Sequence, residues 1–398
     1  LTKGLIADFR RLKMNPFQFQ TAGRIRFGCG EAALLGTAAA RAGSRALFVT
    51  GRDTSRWARL RVLLDESGTE SIVFNVDAEP HIDMITRAVA VARDGGCDFV
   101  VAVGGGSVID AAKAVAAMLA NPGELMDYLE VVGHGRALPQ PSRPCIVLPT
   151  TAGTGAEVTR NAVLAAREQK VKVSMRSPHM MPSLAIIDPE LTLTMPPQVT
   201  AGTGMDALTQ LIEPLTSSKA NPLADGICRE GLRPAAEHLV QAFEDGGDLA
   251  AREAMSLASL FGGLALANAG LGAVHGFAAP LGGMLNAPHG MVCAALLPAV
   301  MAANIAALRA QAPDSPFMAR YREVACLLTG CPGARADEGV DWVRRLVDRL
   351  GLPGLSDLGL KKSMIAEAVA KADRASSMQG NPIVLSGHAL EGILNAAF

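Results

Sequence analysis

A chain of 398 residues is too long for one ordinary core, so two domains are expected. Hydrophobic residues make up 49% and charged ones 19%, below the roughly 25% charged fraction usual in soluble proteins, which calls for a large buried interior or an oligomeric surface. A net charge of −1 without a basic stripe argues against nucleic acid as a partner, and no uninterrupted apolar run reaches the roughly 18 residues of a membrane span.

The opening stretch, LTKGLIADFRRLKMNPFQ, has basic groups but only a short apolar block, and reads as a short helix or tail. Residues 17–27 alternate apolar and polar and read as a strand or hairpin. Strand-like runs follow at 46–50, 71–76, 98–103, 145–148 and 184–188, and helical patterns at 31–42, 55–67, 83–95 and 107–119 fill most of the gaps. This is the βαβ rhythm of a parallel sheet with helices on both faces, an α/β nucleotide-binding domain. After Pro196 and Pro197 the rhythm stops, and Ala/Leu-rich helical stretches at 223–243, 249–269, 291–308, 340–350 and 365–375 follow. The expected division is therefore an α/β domain over 1–195 and an all-α domain over 196–398, sharing a rigid cleft. Seven scattered cysteines, odd in number and without a CxxC pair, suit a reducing cytoplasm in which most are small buried hydrophobes.

Within the first half, DFVVAVGGGSVIDAAKAVAA runs a hydrophobic strand straight into three glycines and a helix. Gly104, Gly105 and Gly106 lack a Cβ, so the backbone can approach a diphosphate closely, and the first turn of the helix offers amide donors and the positive end of its dipole. Ser107 and Asp110 fit a Ser-x-x-Asp capping arrangement. The run is neither GxGxxG nor a Walker A loop, and a tight turn without a ligand is the plainer alternative. A second element, LPTTAGTGAEVTRNAV, supplies hydroxyls and glycines together; by itself it is a turn.

In the second half, TGMDALTQLIEPL places Met205, Leu208, Ile212 and Leu215 at three- and four-residue steps, so it reads as a helix. Asp206 and Gln210, at i and i+4, share a face of it. The histidines His275 and His289 of VHGFAAPLGGMLNAPHG could close a site over that face, and one carboxylate with two neutral imidazoles suits a divalent ion. The plainer alternative is that these four are ordinary hydrogen-bonded groups.

The motifs GMDALTQLIEP, GLGAVHGFAAPLG and NAPHGMVCAALLP, with the GGGSxxD element, resemble the group III, iron-containing alcohol dehydrogenase family. The resemblance implies a dehydroquinate synthase-like fold, a homodimer paired through the 17–27 element, and a metal held by one Asp and three His. Asp206, His275 and His289 match that set, and Gln210 stands where the remaining His is expected. Ala279 stands where an additional active-site His follows His275 by four. Resemblance also implies nucleotide contacts from Gly104, Gly105, Gly106, Ser107, Asp110, Thr150, Thr151, Thr154, Asn161 and Lys172. Members preferring NAD often carry an acidic residue after the first strand, to bond the ribose 2′-OH. Here VTGRDTSRW has Gly51 there with Arg52 beside it, which favours NADP, unless Asp53 turns inward.

The expected activity is NAD(P)-dependent hydride transfer between a small alcohol and its aldehyde or ketone, assisted by Fe²⁺ or Zn²⁺, with Asp206, His275 and His289 as the catalytic set and Gln210 as a weaker oxygen ligand. Two rivals stand beside it: a metal-independent enzyme resembling maleylacetate reductases, and a non-catalytic nucleotide-binding relative.

Overall fold

The computed structural model describes residues 16–169 and 171–398; most of the opening stretch read as a helix or tail lies outside the described residues. In chain order the first half runs β1 (Ile25–Phe27), α1 (Leu35–Ala42), β2 (Arg45–Thr50), α2 (Ala58–Glu66), β3 (Glu70–Asn75), α3 (Ile82–Asp94), β4 (Phe99–Gly104), α4 (Gly106–Ala120), the single turn α5 (Leu125–Tyr128) and β5 (Cys145–Pro149). It then adds β6 (Asn161–Ala166), β7 (Val171–Arg176) and β8 (Leu184–Ile187).

Six of these strands form one sheet in the order β1-β8-β5-β4-β2-β3, and every neighbouring pair is parallel. The apolar runs make this possible because both faces of a parallel sheet are covered by its crossover helices. Along β4, Phe99, Val101 and Val103 pack into a core shared with α1 and α2, while Val100 and Ala102 enter one shared with α3 and α4. That alternation is the period of two of a strand, here apolar on both sides. β6 and β7 stand apart as an antiparallel hairpin.

The strand or hairpin expected over residues 17–27 is shorter: only Ile25–Phe27 pairs, with β8, at the sheet edge. A strand needs a ladder of backbone partners, and the backbone of Gln20 pairs with a side chain instead. Gln20 donates its amide to Asn268 Oδ1 at 2.6 Å and accepts from Asn268 Nδ2 at 2.9 Å.

All further elements are helical. They are α6 (Pro197–Thr216), α7 (Pro222–Glu244), α8 (Leu249–Ala269), α9 (Ala273–Leu285), α10 (His289–Gln311), α11 (Pro316–Thr329), α12 (Ala336–Arg349), α13 (Ile365–Ala372) and α14 (Gly387–Ala396). Their apolar faces enclose a core of their own, with Leu208, Leu211, Phe277, Leu296 and Leu297 fully buried. By length and composition α8 and α10 could cross a membrane, but 61% and 67% of their apolar windows are buried inside this fold.

The two halves meet backbone to backbone. A Cβ added to Gly263 of α8 would lie 2.6 Å from Gly155 Cα, and one on Gly153 would lie 2.8 Å from the Thr203 carbonyl of α6. Leu260 and Leu264 of α8 also belong to the core of the sheet.

Candidate functional site

The glycine turn sits where β4 ends, and the Thr/Gly loop after β5 lies directly against it. Thr150 N donates to Gly104 O at 3.0 Å. A Cβ on Gly105 would come within 3.1 Å of Thr151 Oγ1, and one on Gly106 within 2.8 Å of Thr154 Cγ2. Thr150, Thr151 and Thr154 thus join Gly104, Gly105 and Gly106 in one surface. The glycines are needed for this close approach of two loops as well as for any diphosphate.

The cap expected from Ser107 and Asp110 does not form. Gly105 is the N-cap of α4, no side chain caps it, and Ser107 is exposed. The helix begins two residues earlier than the Ser-x-x-Asp pattern requires, so Ser107 is already inside its first turn, and a cap must precede that turn. Asp110 instead accepts from Val163 N at 3.0 Å and pairs with Lys113 at 2.9 Å. Buried Lys113 reaches Ala156 O and Thr159 Oγ1, both at 3.0 Å. Asp110 and Lys113 therefore pin β6 and the Thr/Gly loop to α4, and the first amides of α4 are left without a side-chain acceptor, as an anion site requires.

Asn161 opens β6 and Lys172 lies in β7, so both belong to the hairpin and not to the glycine turn. Lys172 pairs with Glu79 at 2.5 Å, and its Nζ lies 3.0 Å from where a Cβ of Gly282 in α9 would be. A cavity of about 340 Å³ opens there, lined by Glu79, Lys172, Gly282 and Asn286 among others. At the end of β2, Gly51 has open space where a side chain would go. Arg52 donates to Asp77 O at 2.9 Å, and Asp53 turns to cap Ser55, accepting from its amide at 3.0 Å.

The second cluster is built by three helices. α6 carries Asp206 and Gln210, α9 carries His275 in its first turn, and α10 opens with His289. His275 Nε2 is 3.4 Å and His289 Nε2 3.6 Å from Asp206 Oδ1, and the Asp206 side chain is only 3% exposed. Asp206 Oδ1 and Gln210 Oε1 are buried without a hydrogen-bond partner. Unpartnered buried oxygens are costly, and a site that keeps Asp206 Oδ1 facing two imidazoles suits a cation. The His289 side chain is 37% exposed and keeps the cluster open on one side. Ala279, one turn after His275, is exposed and offers no polar group.

Two residues of this cluster escaped the sequence reading. Glu213 receives His275 Nδ1 at 2.6 Å and the Val274 amide at 2.7 Å, so it fixes which imidazole nitrogen faces Asp206. Its signal was its place seven residues, two helical turns, after Asp206. Cys293 lies with Sγ 3.6 Å from His289 Nε2 and 4.0 Å from His275 Nε2. The ligand atoms of Asp206, His275, His289 and Cys293 all lie within 4.8 Å of one another. Its signal was i+4 spacing from His289 on one helix.

The electrostatics are those of a coupled set. Burial opposes charge on His275, yet Cys293, Asp206 and Glu213 together hold its pKa well above the usual value. Burial likewise opposes ionisation of Asp206, but the His289 charge and the close His275 and Gln210 side chains bring its pKa below the usual value. Cys293 follows the same pattern, with burial outweighed by the two imidazoles, so its thiol is more acidic than usual.

The sequence matches "Iron-containing alcohol dehydrogenase" over residues 22–189 and "Fe-containing alcohol dehydrogenase family, C-terminal" over residues 200–398. The chain belongs to the iron-containing alcohol dehydrogenase family. Among its relatives is a 4-hydroxybutyrate dehydrogenase of Cupriavidus necator, 38% identical over 312 residues that cover 77% of this chain and 79% of that protein. The crystal structure of a 1,3-propanediol oxidoreductase superimposes with a TM-score of 0.88 at 32% identity, covering 96% of this chain and 100% of that one. A sulfoacetaldehyde reductase from Bifidobacterium kashiwanohense, in complex with NAD⁺, gives a TM-score of 0.86 at 31% identity over 96% and 99% of the two chains. This member of the iron-containing family thus has the parallel-sheet and helical halves of its relatives.

Proposed function

We infer that the chain is an NAD(P)-dependent alcohol dehydrogenase that interconverts a small alcohol and its aldehyde or ketone. The observation that carries the reading is the convergence of Asp206, His275 and His289 from three helices, with the unpartnered Oδ1 of Asp206 facing both imidazoles. When bound, the nicotinamide supplies or accepts the hydride, and a divalent ion supplies the positive charge that polarises the substrate oxygen.

The residues divide the remaining tasks. Gly104, Gly105 and Gly106, with the free amides of α4, receive the diphosphate, and Ser107 lies exposed beside them. Thr150, Thr151 and Thr154 line the same surface. Asn161 and Lys172 contact the nucleotide from the hairpin, with Lys172 joining it to α9, and Asp110 holds that hairpin in place. Asp206, His275 and His289 hold the ion, Gln210 borders it, and Glu213 orients His275. Residues 1–195 act as the nucleotide unit and 196–398 as the metal and substrate unit.

NADP is preferred or fully accepted, because no carboxylate occupies the end of β2: Gly51 is bare, and Asp53 is engaged with Ser55. Dimerisation through residues 17–27 fits their unladdered backbone before β1, and the free cysteines suit the cytoplasm. Turnover of a panel of short aldehydes with NADPH and NADH tests the reading, and a protein that binds nucleotide yet reduces none would be the non-catalytic relative. One observation favours the metal-independent rival. His275 and His289 stand beside Asp206 and Glu213, positioned to polarise a carbonyl themselves, and activity surviving complete metal removal would establish that route.

A further inference from the structure

The cluster holds a second strong anionic donor besides Asp206. Cys293 is fully buried on α10, one turn after His289, in the same helix face. A tetrahedral ion with bonds of about 2.1 Å to N or O and about 2.3 Å to S sets its ligand atoms about 3.4 Å apart for N and O, and about 3.6 Å apart for N and S. The structure has 3.4 and 3.6 Å for the two imidazole–carboxylate edges, and 3.6 and 4.0 Å for the two imidazole–sulfur edges. Asp206 Oδ1, buried and unpartnered, is aimed at the same point.

Gln210 is the poorer candidate for the last donor. Its Oε1 lies against α8, 3.4 Å from where a Cβ of Gly262 would stand. A neutral amide oxygen is also a weaker ligand than a thiolate for a borderline-soft ion.

We propose that Cys293 is the fourth protein ligand of the active-site ion, replacing the imidazole absent at position 210, and that the Asp206, His275, His289, Cys293 set selects Zn²⁺ over Fe²⁺. The proposal rests on the reading that the cluster holds an ion. Carboxylate and thiolate together neutralise a divalent charge, which lowers the cost of burying it. Thiolate softness favours zinc, which already lies above ferrous iron in intrinsic affinity.

The test is spectroscopic and independent of turnover. The full chain, stripped of metal and titrated with Co²⁺, is read by absorption. The expected result is visible ligand-field bands, reporting a low-symmetry bound ion, together with a near-ultraviolet thiolate-to-cobalt charge-transfer band. Cys293→Ala should lose the charge-transfer band and bind at least about 10-fold more weakly, and Gln210→Ala should keep the band. Zn²⁺ should displace Co²⁺ more readily than Fe²⁺ does. Ligand-field bands without the charge-transfer band in the unaltered protein would overturn the Cys293 assignment and leave the ion reading standing. A charge-transfer band that persists in Cys293→Ala would overturn it equally. Preferential displacement by Fe²⁺ would overturn the zinc selection, and the absence of any cobalt band would overturn both the assignment and the ion reading.

Discussion

Gln210 and Gly51 are the two positions where a single side chain decides most about the chemistry. Gln210 lies on the face of α6 shared with Asp206, and Gly262 opposite it lacks a side chain, so an imidazole has room to replace the amide. Gln210→His should raise Fe²⁺ affinity by at least about 10-fold, since imidazole suits iron better than an amide oxygen does. His275→Ala in the same background should cancel the gain, and competition titration with a chromophoric chelator reads both. At Gly51, where nothing lies within 4 Å of an added Cβ, Gly51→Asp should shift the kcat/KM ratio of NADPH to NADH towards NADH by about 10-fold or more. The new carboxylate would bond the 2′-OH and repel a 2′-phosphate; an unchanged ratio would show that this end of β2 does not face the ribose.

Among elements, the strand–turn–helix of β4 and α4 carries the clearest prediction. Gly105 has φ −77° and ψ −172°, which any residue adopts, but a side chain there presses on Thr151 and fills the space above the free amides. Gly105→Val should weaken NADPH binding by more than about 100-fold, some 2.7 kcal/mol, while changing the melting temperature by only a few degrees; fluorescence titration and thermal melting check the two parts. The Thr/Gly loop carries another. Glu157 is 2% exposed, and burial raises its pKa from 4.5 to about 7 against the opposing pull of Lys113. A carboxyl whose folded pKa is raised binds its proton more tightly in the folded chain. Its contribution to stability is therefore present below about pH 4.5, falls as pH rises towards 7, and is flat above. Glu157→Gln should stabilise the protein by up to about 3 kcal/mol above pH 7 and by almost nothing near pH 4.5. Denaturant titration at the two pH values measures the difference, and an equal effect at both would show that Glu157 titrates normally.

Which elements were legible follows from how local their signals are. The helix of Asp206 and the strand before Gly104 announce themselves within a dozen residues, by a step of three or four and by an apolar run meeting glycines. Cys293 carries the same i+4 signal relative to His289, but a lone cysteine in an apolar helix reads as a packing residue until the other two helices are seen around it. The β6–β7 hairpin was missed because its connection, REQK, lacks the Gly or Asn that marks a tight turn. α9 was obscured by Gly276, Pro280, Gly282 and Gly283 inside it. Ser107 and Asp110 show the reverse error, a capping pattern displaced by two residues from Gly105, the N-cap that follows the strand.

At the scale of the whole molecule, the proposed function asks the sheet half and the helical half to bring parts of one site together. The contact of Gly155 with Gly263 lets the two backbones approach closely, and Lys172 reaches from the hairpin to the helix that carries His275. The nucleotide surface and the Asp206 cluster are thereby held by one packed body. The central claim is that this cluster supports alcohol–aldehyde interconversion through a bound divalent ion. The measurement that tests it most directly is NADPH-dependent reduction of a short aldehyde by the full chain, before and after removal of metal and after reloading with Zn²⁺ or Fe²⁺. The account predicts that activity is lost on stripping and returns with one ion per chain. Full activity in the stripped protein would contradict it.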